Sequence, residues 1–209
     1  MFTGLFWVVH GQPLRCSEAR MMNMHIDLKT GWASDIRILA SPNCNSRPVG
    51  TEVDLLIIHC ISLPPGQYGG GYIEKLFSNQ LPVKEHPYFK DIANNPVSAH
   101  FLIERHGAVT QFVSIYDRAW HAGVSSFAGR AQCNDYSIGV ELEGCVTDSF
   151  TFEQYKALQA LCLALKGCFP AINCGRIVAH SDVAPGRKDD PGPFFDWQEL
   201  FALLKDAGF

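Results

Sequence analysis

Apolar and polar positions alternate along this chain in patterns that change from segment to segment. DLLIIHCI (54–61) is almost wholly apolar, which predicts a central strand buried on both faces. SLPPGQYGGG (62–71) breaks the run at once with two prolines and four glycines, which predicts a loop. YIEKLFSNQL (72–81) reads as a short helix, and HFLIERHGAVTQFV (100–113) as two strands of a hairpin joined at His106-Gly107. In YSIGVELEG (136–144), Ile138, Val140 and Leu142 alternate with Ser137, Gly139, Glu141 and Glu143, the pattern of a half-buried strand.

The clearest helix is TFEQYKALQALCLALKGCF (151–169). Thr151 and Gln154 stand at capping-box spacing, and Tyr155, Leu158, Cys162 and Leu165 form an apolar stripe. RIVAH (176–180) returns to strand, SDVAPGRKDDPGPFF (181–195) is irregular, and Asp196 with Glu199 caps a terminal helix, WQELFALLKDAG (197–208). The expected fold class is α/β: a single domain with a mixed central β-sheet flanked by helices.

Polar groups then stand out where apolar strands stop. His59 ends the run Leu55–Ile58 before one Gly/Pro-rich loop, His180 ends Ile177–Ala179 before another, and Asp190 lies inside that second loop. Strand ends and the loops after them are where open sheets build sites. Two imidazoles and a carboxylate also suit a catalytic zinc ion that keeps an open position. Pro191 disfavours helical backbone at Asp190, so an extended segment should point Lys188 and Asp190 to one side and Asp189 to the other.

Composition narrows the class. Of 209 residues, 47% are hydrophobic and 18% charged, which excludes a disordered chain. A net charge of −4 leaves no footprint for nucleic acid or for an anionic membrane, and no run approaches the ~18 apolar residues of a membrane span. Residues 1–22 are expected to form a weakly ordered extension, ahead of one folded domain over 23–209. Their apolar run has no preceding positive residue and no small-residue cleavage site, so no secretory signal is expected. The cysteines at 16, 44, 60, 133, 145, 162, 168 and 174 include no C-x-x-C pair. Free, reduced thiols and a cytoplasmic location are therefore expected.

Six segments together carry a family resemblance: IIHCISLPPGQYGG (57–70), HPYF (86–89), VSAHFLIERHG (97–107), RAWHAGVSSFAGR (118–130), CNDYSIGVELEG (133–144) and AHSDVAPGRKDDPGPFFDW (179–197). From about Trp32 to Trp197 the chain resembles the type 2 N-acetylmuramoyl-L-alanine amidases, within them the cytoplasmic 1,6-anhydro-N-acetylmuramyl-L-alanine amidases (AmpD type). The resemblance implies one zinc ion held by His59, His180 and Asp190. It implies that Glu141 moves protons for the attacking water and that Lys188 stabilises the oxyanion. Strand alternation alone does not separate Glu141 from Glu143. Trp120, His121 and Cys60 are implied at the substrate-binding wall, although alternation would turn Cys60 away from His59 as a buried thiol. His100 reads as a structural hydrogen-bonding residue.

The implied reaction is hydrolysis of the amide between the lactyl group of an anhydro-muramyl sugar and the L-alanine of its peptide, in muropeptide recycling, by a monomer. Two alternatives are a peptidoglycan-binding module without catalysis and an amidase acting on intact murein. Three positions depart from the family pattern: Cys60 stands where Asn is usual, and Pro96 and Gln132 where Arg is frequent.

Overall fold

A computed structural model describes residues 24–209; the expected extension over 1–22, with Cys16, lies outside the described residues. The main sheet has six strands: β1 (Arg37–Ile38), β2 (Leu55–Ile61), β3 (Phe101–Ile103), β4 (Val109–Gln111), β5 (Ser137–Glu143) and β6 (Ile177–Ala179). Their order across the sheet is β6-β2-β5-β3-β4-β1. Strands β6, β2, β5 and β3 run parallel, and β4 returns antiparallel to β3 through the expected hairpin. The sheet is mixed, as the element pattern predicts.

The apolar run of β2 divides between two cores by alternation. Leu56 and Ile58 face a cluster with Ile138, Val140 and Leu142 of β5 and with Leu158, Leu161 and Leu165. Leu55 and Ile57 face the opposite cluster, with Ala122, Cys133, Tyr136 and Val183. Five helical segments surround the sheet: α1 (Tyr72–Phe77), α2 (Phe89–Ile92), α3 (Phe152–Cys168), α4 (His180–Val183) and α5 (Trp197–Asp206). Thr151 and Gln154 form the expected capping box of α3, and Asp196 caps α5 through the amides of Gln198 and Glu199.

The hairpin needs its glycine. Gly107 has φ +86°, and a Cβ there would meet the Glu153 carbonyl oxygen of α3 at 2.9 Å. At the other end of the sheet, Asp54 Oδ2 accepts from Arg130 and Arg176, tying the entry of β2 to the entry of β6. Since Ala179 pairs with Ile58, the residues that follow each, His180 and His59, emerge side by side at the carboxyl edge.

Several expectations need correction. β5 is not half-buried: every residue but Glu141 is buried, because the strand lies between β2 and β3 with both faces covered. Ser137 and Glu143 are buried with hydrogen-bond partners instead. Strand β6 stops at Ala179 rather than 180, and His180 opens α4, where Asp182 accepts from the Ala179 amide. Helix α1 ends at Phe77 rather than 81, just before Asn79 enters the left-handed region at φ +58°. The pairs His25–Ile26 with Ala33–Ser34, Cys44–Ser46 with Asp117–Ala119, and Ser126–Phe127 with Arg130–Ala131 carry no periodic signal at two or three residues each. No helix among the described residues is long and apolar enough to cross a membrane, and the seven described cysteines are all free.

Candidate active site at the carboxyl edge of the sheet

His59 near the end of β2, His180 at the start of α4 and Asp190 in the loop beyond converge as the strand ends predict. His59 Nδ1 lies 2.9 Å from His180 Nδ1 and 3.1 Å from Asp190 Oδ2, and His180 Nδ1 lies 3.0 Å from the same oxygen. The three form a compact His/His/Asp group able to hold a metal ion. Both imidazoles are buried, at 1% and 2% exposure, and Asp190 is half-buried. Burial drives the His59 imidazole down to about 4, outweighing the contact with Asp190, so the ring is neutral at pH 7 as metal ligation requires.

The donor set passes a test of its own. His180 Nε2 sits 3.2 Å from the Ala122 carbonyl oxygen, which only accepts, so Nε2 carries a proton and a neutral ring presents its lone pair on Nδ1. That lone pair faces the carboxylate oxygen of Asp190 and the Nδ1 of His59 inside a buried pocket. Converging acceptors of this kind suit a bound cation.

Glu141 and Glu143 of β5 share a face and have opposite fates. Glu143 is 4% exposed, and its carboxylate accepts from the Gly69 amide at 2.5 Å and the Arg105 amide at 3.1 Å. It ties two loops to the sheet. Glu141 pairs across the sheet with His59, and its Oε2 is sealed without a hydrogen-bond partner among the described residues. Burial pushes the Glu141 carboxyl well up and the Asp190 charge adds to this, while Lys188 pulls the other way. A carboxyl held in that state is suited to exchanging a proton near neutrality.

A cleft of about 470 Å³ opens over these groups. Leu63, Leu76, Phe77, Ile92 and Val97 give it an apolar arm, and Glu141, Lys188, Asp189 and Asp190 border the polar one. Asp189 borders the cleft together with Lys188 and Asp190. The segment runs between two turns without a strand partner, so nothing enforces alternation. Trp120 lines the wall, its indole Nε1 donating to Asn45 Oδ1 at 2.6 Å. Cys60 borders the cleft while packing against the main core, which reconciles its two expected placements. Only Ser62, Leu63 and Pro65 of the 62–71 loop reach the lining. Pro96 lies between cleft-lining Asn95 and Val97, whereas Gln132 is not part of the lining.

His121 touches the cleft, but its ring also stands behind His59, with Nδ1 2.9 Å from His59 Nε2. The family resemblance implies only a wall position for His121, and nothing in the local pattern brings the 118–122 segment against β2. Gly139 of β5 seats this ring: a Cβ there would fall 2.4–2.7 Å from three of its atoms. Asn134, in the CNDYSIGVELEG segment, accepts from the amides of His121 and Ala122 at 3.2 and 2.7 Å. His100 is structural as expected: its Nδ1 accepts from the Gly139 amide and its Nε2 faces the Asp117 carbonyl.

Comparison with known proteins agrees with this geometry. A family model described as N-acetylmuramoyl-L-alanine amidase matches residues 49–193. The chain is 49% identical over 179 residues to the 1,6-anhydro-N-acetylmuramyl-L-alanine amidase AmpD of Haemophilus influenzae, covering 86% of this chain and 97% of that protein. A crystal structure of a selenomethionine derivative of AmpD superposes with a TM-score of 0.83 at 47% identity, covering 87% of this chain and 99% of the other. The amidase AmiD of Escherichia coli, solved with anhydro-N-acetylmuramic acid-L-Ala-D-γ-Glu-L-Lys, gives a TM-score of 0.54 at 27% identity, covering 87% of this chain and 65% of that one. With the family model spanning most of its length and relatives near half identity across the fold, this chain belongs to the N-acetylmuramoyl-L-alanine amidase family.

Proposed function

We propose that this chain is a zinc-dependent hydrolase of anhydro-muropeptides. It cleaves the amide between the lactyl group of anhydro-N-acetylmuramic acid and the L-alanine of the stem peptide, in cytoplasmic recycling of cell-wall fragments. The observation that carries the reading is the convergence of His59, His180 and Asp190 beside the unpartnered carboxylate oxygen of Glu141. The AmpD relatives, and a substrate-bound AmiD, support the choice of substrate. The seven cysteines among the described residues, all free, support a reducing compartment.

His59, His180 and Asp190 would hold the ion. Zinc, when bound, supplies Lewis acidity and acidifies water toward neutral pH. Glu141 takes the proton of the attacking water and returns it to the departing alanine nitrogen. Such a group is typically worth ~10²–10⁴ in rate. Lys188, at the mouth of the cleft, stabilises the negative charge that grows on the lactyl oxygen, a donor typically worth ~10²–10³. The cleft volume of about 470 Å³ suits a compact soluble ligand, and Trp120 offers an apolar surface to its sugar.

The test is metal analysis paired with turnover of an anhydro-muramyl peptide before and after chelation. One equivalent of zinc, lost together with activity in His180→Ala, is the expected result. Full turnover by metal-free protein, or zinc retained at one equivalent in His180→Ala, overturns it. Binding without turnover by the zinc-loaded protein would instead identify a recognition module, and equal cleavage of intact sacculi a murein amidase.

A further inference from the structure

Behind the two histidines runs a hydrogen-bonded chain whose polarity is set at its far end. The Cys133 carbonyl can only accept, so the Ser137 hydroxyl 2.6 Å away donates to it. That leaves the Ser137 oxygen to accept from His121 Nε2 at 3.3 Å, and makes His121 Nδ1 the bare nitrogen. His121 Nδ1 must then accept from His59 Nε2, 2.9 Å away. The last consequence is that the lone pair of His59 is on Nδ1, the atom facing His180 and Asp190.

We infer that His121 is a positioning residue that holds His59 in its Nε2–H tautomer and fixes its ring, so that the bare Nδ1 is presented to the metal. The inference rests on the zinc reading proposed above. The same short segment serves the second ligand, since the carbonyl of the next residue, Ala122, accepts from His180 Nε2. Asn134 pins the segment through both of its amides, and Gly139 leaves room for the His121 ring against β5. His59 is 1% exposed, so without His121 its Nε2–H would lose its acceptor where water is excluded. The ring would then change tautomer or rotate, and in either case the ligating lone pair is displaced.

The experiment compares the full chain with His121→Phe, which keeps a ring but no acceptor, His121→Gln, which keeps an acceptor oxygen, and His59→Ala. Zinc affinity is read by competition with a chromogenic chelator. Nitrogen NMR of the imidazoles in zinc-free protein reports which nitrogen of His59 carries the proton. His121→Phe is expected to bind zinc about 10–100-fold more weakly, as loss of a partner behind a ligand typically does, and to lose the single Nε2–H signature. His121→Gln is expected to restore affinity to within about threefold of the parent. A His121→Phe protein with parental affinity and an unchanged His59 signature overturns the inference while leaving the zinc reading intact. Zinc retained by His59→Ala overturns the ligand set itself. Should His121→Phe fail to fold, the parent decides alone: a His59 proton found on Nδ1 refutes the role of His121.

Discussion

Matched Gln substitutions at Glu141 and Glu143 separate two carboxylates of one strand that local pattern treats alike. Glu143 accepts two backbone amides, from Gly69 and Arg105, in a buried setting. Glu143→Gln keeps one acceptor oxygen and turns an NH2 group against the other amide. Hydrogen bonds to charged groups contribute about 1.5–3 kcal/mol each, and an orphaned buried donor adds its own penalty, so a loss of about 3 kcal/mol is expected. For a domain of this size that corresponds to a fall in Tm of about 6–12 °C. Glu141 Oε2 has no partner to lose among the described residues, so Glu141→Gln should leave Tm of the zinc-loaded protein within about 2 °C while lowering kcat by ~10²–10⁴. The assay is thermal unfolding beside steady-state hydrolysis of an anhydro-muramyl tripeptide, with zinc content measured on each sample. A Glu143→Gln protein of parental Tm whose kcat falls further than that of Glu141→Gln refutes the reasoning.

Three other outcomes are expected. Because burial raises the Glu141 carboxyl, folding of the metal-free chain is opposed once pH exceeds the ordinary carboxylate value. Glu141→Gln should therefore raise the metal-free Tm at pH 8 and leave it unchanged at pH 4; an equal gain at both pH values contradicts this sign. Gly192 has φ +86°, and a Cβ there would lie 2.7 Å from the Val146 backbone. Gly192→Ala should push the Asp190 loop off its seat and weaken zinc binding in chelator competition, and parental affinity would show that the loop absorbs the methyl. Pro96→Arg sets a guanidinium between two cleft residues and should lower KM for a peptide bearing free carboxylates with little change in kcat, the pattern of uniform binding. An unchanged KM would place carboxylate recognition elsewhere.

The parts of this molecule legible in its sequence are those governed by short-range rules. The apolar run of β2, the Thr151 capping box, the Asp196 cap and the His106-Gly107 turn all appear within a residue or two of their expected places. His59 and His180 stand out at strand ends and Asp190 in the loop after the second, and they converge. What local pattern misses depends on neighbours that only the assembled sheet supplies. β5 looks half-exposed because Ser137, Glu141 and Glu143 are polar, yet each is enclosed by a partner or a task. The contact of His121 with His59 joins residues 62 apart and leaves no periodic trace. Asp189 borders the cleft in a segment with no strand partner to impose alternation.

The separation of the proposed metal ligands along the chain has a kinetic consequence. His59 and His180 are 121 residues apart, and His59 and Asp190 are 131, while His180 and Asp190 are only 10 apart. An unfolded chain can offer a metal at most the nearby pair, because uniting all three ligands means closing a very long loop first. A cation at this position therefore binds the native state almost exclusively and stabilises it by mass action. It acts after the sheet has ordered β2 beside β6, past the rate-limiting assembly of long-range pairs. Saturating zinc should then slow unfolding and leave the refolding rate nearly untouched, so that the ion acts as a latch on a finished structure rather than as a nucleus for building it.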